Sequence, residues 1–106
     1  MNTILATKAF EKWLYGLKDL RARARIIARI IARIQGARTG NFGSHRALGR
    51  GVMEMKIDVG PGYRIYYARQ GSVVYLLLCG GDKSTQACDI KTAHRLWATR
   101  EVNHEA

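Results

Sequence analysis

Acidic residues are scarce in this sequence. Eight Asp and Glu stand against eighteen Lys and Arg in 106 residues, a formal net charge of +10. That imbalance points to nucleic acid, an anionic surface or an acidic protein as the partner. Long apolar runs are missing too. No stretch approaches the roughly 18 to 20 residues that span a bilayer, which excludes a membrane-spanning helix. Met1–Ala9 has no basic segment leading into an apolar one, so no signal peptide is predicted and a cytoplasmic location is expected. Cysteine is limited to Cys79 and Cys88, which in that compartment are reduced thiols. Added to His45, His94 and His104, they show no metal-ligand spacing, so neither metal nor cofactor is expected. Internal repeats and low-complexity segments are absent, and the length suits one domain over residues 1–106.

What is present is a change of period along the chain. Residues 2–6 (NTILA) suit a first strand, and Thr7 can cap the helix that follows. Phe10, Trp13, Leu14 and Leu17 recur at one helical face. In "DLRARARIIARIIARIQG" the spacing predicts a second helix with Leu20, Ala24, Ile27, Ile31 and Ile34 inward and Ile26 and Ile30 widening the stripe. Arg21, Arg25, Arg29 and Arg33 run along its opposite side, a row suited to phosphates or to an acidic partner segment. Residues 36–51 read as one long glycine-rich loop containing His45, Arg46 and Arg50. Met53, Met55 and Ile57 then alternate with Glu54, Lys56 and Asp58, the mark of a half-buried strand. Turns at Gly60-Pro61-Gly62 and Gln70-Gly71 divide a three-strand antiparallel meander, whose last strand, SVVYLLLC, is apolar on both faces and therefore central. A final helix over residues 84–100 has Ile90, Ala93 and Trp97 as its inner stripe, followed by a frayed tail. The fold class predicted is α+β: a small antiparallel sheet, two N-terminal helices and a C-terminal helix.

The charged residues suggest one site. If Met53, Met55 and Ile57 face the helices, then Glu54, Lys56 and Asp58 share the other face, where Arg64 joins them. The meander ends at Gly80-Gly81, where missing side chains permit close approach, and Lys83 follows at a helix start that favours anions. Lys56, Arg64 and Lys83 can then gather around a phosphate, with Asp89 as the candidate base for a 2′-hydroxyl. Preorganised cations of this kind stabilise a phosphorane. Arg46, Arg50, Gly80, Gly81 and Gln86 are the candidate RNA-binding residues around them. Asp82-Lys83 after the glycines is not a phosphate-loop motif, since the Ser or Thr is misplaced.

The block "GVMEMKIDVGPGYRIYYARQGSVVYLLLCGGDKSTQACDIKTA" (51–93) resembles the centre of the RelE/ParE toxin superfamily, in its phage-derived, HigB-like addiction-module killer branch. The Gly-Pro-Gly-Tyr-Arg turn, the Gly-Gly-Asp-Lys-x-x-Gln run and the following Asp-Ile carry the likeness, and the order of elements extends it over nearly the whole chain. The resemblance implies a RelE-like fold and a metal-independent endoribonuclease that cleaves mRNA, often on the ribosome. It also implies a helix-turn-helix antitoxin as partner, for which Arg21, Arg25, Arg29 and Arg33 are the candidate contacts. Arg64, Lys56 and Lys83 match basic positions of the family, and Asp89 stands where relatives carry an acid-base group. Glu54 departs from the family, standing where some relatives carry a second lysine, and no histidine heads the final helix. The alternatives are a non-catalytic, gyrase-directed toxin on the same scaffold and a basic adaptor for an acidic protein.

Overall fold

A computed structural model describes residues 3–36, 45–71 and 74–104. Five strands form one mixed sheet: β1 (Thr3–Ala6), β2 (His45–Ala47), β3 (Val52–Ile57), β4 (Tyr63–Gln70) and β5 (Val74–Asp82), in the order β1-β5-β4-β3-β2. Three helices cover it: α1 (Lys8–Tyr15), α2 (Leu20–Gly36) and α3 (Gln86–His104), the last entered through a 3-10 turn at Lys83–Thr85. The α+β class and the three-strand meander β3-β4-β5 match the sequence expectation. Two features of the sheet differ, and α3 continues to His104 through the segment expected to fray. The first strand pairs parallel to β5, so the sheet is mixed. Part of the predicted long loop is also a strand, β2, antiparallel to β3. All three residues of β2 are exposed, so this edge strand has no apolar alternation to betray it. The rest of that loop, 37–44, lies outside the described residues.

The sheet is buried on both faces by different helices. Met55, Ile57, Tyr63, Ile65, Tyr67, Tyr75 and Leu77 meet α1 and α2 on one side. Val52, Tyr66, Ala68, Leu76 and Leu78 meet Ala93 and Trp97 of α3 on the other. This explains the two-faced apolarity of β5, which lies between β1 and β4. A register shift opposite Tyr66 and Tyr67 places an extra residue on β5. Thr7 caps α1 as expected: its Oγ1 accepts from the Phe10 N–H at 3.0 Å and donates to the Leu78 carbonyl at 2.6 Å.

The orientation of α2 corrects the sequence reading. Its buried column is Ala22, Ile26, Ile30 and Ile34, whereas Leu20, Ile27 and Ile31 are 66%, 36% and 42% exposed. The isoleucine doublets at 26–27 and 30–31 offer two apolar columns at helical spacing, and packing on the sheet selects one. Arg21, Arg25, Arg29 and Arg33 each precede a buried residue, so the row flanks the core stripe instead of opposing it. Among the described residues, no helix is long and apolar enough to cross a membrane.

Candidate active site

Strand register assembles the site before any side chain is considered. Lys56 pairs with Arg64, Glu54 with Tyr66 and Arg46 with Glu54, so all five residues share the face covered by α3. Arg64 pairs in turn with Gly81 of β5. The 3-10 turn after β5 is set by Asp82, whose carboxylate accepts from the Ser84 N–H at 2.9 Å and the Ser84 hydroxyl at 2.5 Å. Those Ser84 hydrogen bonds hold the Asp82 carboxyl below its usual pKa. The turn brings the first residue of α3, Gln86, back over β3.

At the centre is Glu54, 7% exposed and the one buried charged residue among those described. Its carboxylate accepts from Gln86 Nε2 at 2.9 Å and faces Arg46 Nη2 at 3.4 Å and Arg64 Nε at 3.9 Å. The Arg64 side chain is 14% exposed, and its Nε has no hydrogen-bond partner among the described residues. The Tyr66 hydroxyl is buried beside them, close enough to interact with the Glu54 carboxylate. Burial raises its pKa, and the negative charge of Glu54 raises it further, so Tyr66 stays a neutral phenol. A buried donor without a hydrogen-bond partner, as Arg64 Nε–H is among the described residues, calls for an explanation. Lys56 borders the cluster, half exposed, with its Nζ 4.0 Å from Asp58.

The remaining predicted residues fall at the rim or outside it. Lys83 is exposed at the start of the 3-10 turn, one residue beyond Asp82, which feels the positive charge of Arg64. Asp89 is engaged locally: it accepts from the Thr85 hydroxyl at 2.6 Å and lies against Gly81. Its charge reaches Tyr66 and, second to burial, helps push the Cys79 thiol up to about 12. The glycine pair, predicted to contact RNA, has a packing role. A Cβ on Gly80 would stand 2.5 Å from the Trp13 ring, and one on Gly81 would overlap the Asp89 carboxylate. Both glycines are buried. Arg50 is exposed in the turn between β2 and β3, away from Glu54. On the helix face of the sheet, Arg33 Nη1 donates to the Lys56 carbonyl at 3.3 Å, while Arg21, Arg25 and Arg29 are exposed.

Two members of the cluster were missed from sequence. The sequence pattern puts Glu54 on this face without a role, and strand alternation alone would put Tyr66 beside Arg64. The signal for both was their register with Lys56 and Arg64. Among the described residues no group of His, Cys, Asp and Glu could hold a metal ion. The arrangement offers one carboxylate as a proton acceptor, with Arg64 and Lys56 as charge partners for a phosphate.

Comparison with known proteins adds a relative. No family model matches the chain. An uncharacterized protein of Haemophilus influenzae is 50% identical to it over 93 residues, which cover 88% of this chain and 90% of that protein. At that identity and coverage, the chain belongs to the same family as the Haemophilus protein.

Proposed function

We propose that this protein is a toxin of the RelE/ParE superfamily, HigB-like in type, that cleaves mRNA and is neutralised by a helix-turn-helix antitoxin. The observation that carries the reading is the convergence of Arg46, Arg64 and Gln86 on the buried Glu54, with Lys56 beside them. In this reading Glu54, and not Asp89, takes the proton of the 2′-hydroxyl as its oxygen attacks the adjacent phosphorus. Arg64 and Lys56 balance the charge of the phosphorane, and the P–O5′ bond breaks to leave a cyclic phosphate. Lys83, exposed one residue beyond Asp82, is the proton donor to the leaving oxygen in this reading. The positive charge of the whole chain raises the encounter rate with ribosomal and messenger RNA. The cytoplasm is the compartment where that chemistry would operate.

The test is induced expression in a bacterial host, with transcript ends mapped. Wild type should arrest growth and create new 5′-hydroxyl ends inside coding regions. Glu54→Gln and Arg64→Ala should relieve arrest and abolish those ends, while circular dichroism shows the fold retained. Arrest with intact transcripts and DNA breaks would assign the gyrase-directed alternative. Arrest and cleavage undiminished in both variants would refute the site.

A further inference from the structure

A second cationic feature lies on the same seam between α3 and β3. Leu48, Gly49, Arg50, Lys91 and His94 line a cavity of about 400 Å³. Three consecutive residues of its turn have left-handed backbone: Gly49, Arg50 and Gly51, with φ of 87°, 54° and 86°. Only Arg50 among them bears a side chain, and it is the sole non-glycine residue with positive φ among those described. The turn is held firmly. The Leu48 N–H donates to the Val52 carbonyl at 2.9 Å, and the Val52 N–H to the Gly49 carbonyl at 3.0 Å. Gly51 packs against Trp97 of α3, where a Cβ would come within 3.1 Å of the indole nitrogen. A strained residue persists where its surroundings over-determine it, and such residues concentrate at ligand sites. Across the cavity, His94 Nδ1 is buried with no hydrogen-bond partner among the described residues. Neither Lys91 nor Arg50 has an ion-pair partner among them, and no acidic side chain lines the cavity.

Position relates this cavity to the proposed active site. Gln86, which contacts Glu54, and His94 lie eight residues apart on α3, roughly 12 Å at the rise of an α-helix. A single strand passing along the seam would present one phosphate to Arg64 and another, a few nucleotides away, to this cavity. We infer that Arg50, Lys91 and His94 form a second subsite, which holds a backbone phosphate of the single-stranded RNA whose scissile linkage lies at Glu54 and Arg64. The inference rests on the ribonuclease reading for the identity of the strand. The two fail differently in the experiment below. The subsite reads backbone and not base, because Arg50 and Lys91 bring positive charge to it and no acidic side chain lines it.

The probe is a fluorescein-labelled 2′-O-methyl RNA hexamer, which lacks the attacking hydroxyl, with a trimer of the same chemistry for comparison. Binding is followed by fluorescence anisotropy over a range of salt concentrations. Arg50→Gly and Lys91→Ala should each weaken the hexamer roughly threefold at moderate salt and lower the salt slope by about 0.7, whatever the base sequence. Lys18→Ala, which removes an equal charge elsewhere, should leave the hexamer's affinity within error of wild type. The trimer should lose nothing in Arg50→Gly or Lys91→Ala. Unchanged affinity and slope in both variants, with binding still lost in Arg64→Ala, would overturn the subsite and leave the ribonuclease reading standing. An equal loss in Lys18→Ala would also overturn it, since net charge would then explain the effect. Wild type that binds neither probe at low salt, or that binds phosphatidylserine vesicles through these residues instead, would refute both.

Discussion

Replacing Glu54 by alanine tests the centre of the proposed site through stability alone. Its carboxylate lies 3.9 Å from Arg64 Nε, with side chains 9% and 14% exposed. At that separation two charges attract by about 4 kcal/mol at an effective dielectric near 20. Most of that attraction offsets the desolvation of the pair, so the net worth of the intact pair is small. Removing one partner is a different matter, since Arg64 then keeps its desolvation cost uncompensated, which typically amounts to about 3–5 kcal/mol. The lost hydrogen bond from Gln86 at 2.9 Å is part of the same loss. Arg46 is 57% exposed and adds less than about 1 kcal/mol. Glu54→Ala should therefore destabilise by about 3–5 kcal/mol, a large share of the roughly 5–15 kcal/mol of a domain this size. Urea unfolding would read it as a midpoint lowered by about 2 M at an unchanged slope. The pairing has its own signature. Glu54→Ala/Arg64→Leu should recover at least about 1.5 kcal/mol relative to the sum of the single losses. A loss below about 1 kcal/mol with no coupling to Arg64 would mean that the carboxylate does not sit among these cations, and the site built on it would fall.

Three further outcomes follow from the same structure. Gly80→Ala drives a methyl group into the Trp13 ring and should cost about 1–3 kcal/mol by thermal or urea unfolding, and an unaltered midpoint would contradict the close approach. Arg50→Gly relieves a left-handed φ worth about 1–2 kcal/mol but adds glycine's unfolded-state entropy, so a net gain of up to about 1 kcal/mol in stability is expected, read as a raised Tm. In the native protein a thiol reagent near neutral pH should modify exposed Cys88 and spare buried Cys79, whose pKa is pushed up to about 12 by burial and then by Asp89, and modification of both without denaturant would refute this. The same shift sets the sign of alkaline behaviour: Cys79 is raised above its unfolded value of 9.0, so its contribution is full below pH 9 and is lost as pH climbs toward 12. Tyr66 and Tyr67 shift upward as well and steepen that loss above pH 10.

Much of the scaffold was legible because its signals are local. Alternation at 53–57 assigned Met53, Met55 and Ile57 to the helix side, and register kept Lys56 and Arg64 together on the other. Capping by Thr7 and the inner stripe of α3 were readable for the same reason. The edge strand β2 was not, since three exposed residues paired to β3 carry no hydrophobic period. Nor was the depth of Glu54. Alternation assigns a residue to a face, but whether that face is wet or covered depends on where α3 lands.

The amino-acid sequence by itself determined the elements, their periods, the cationic excess and which residues share a strand face, because each follows from spacing along a chain of known geometry. Only the tertiary structure decided which isoleucine column of α2 is buried, that Gly80 and Gly81 make room for Trp13 and Asp89, and that Glu54 gathers Arg46, Arg64 and Gln86. Those outcomes turn on contacts between segments far apart in the chain, where packing volume and charge compensation choose among arrangements that local pattern leaves equal.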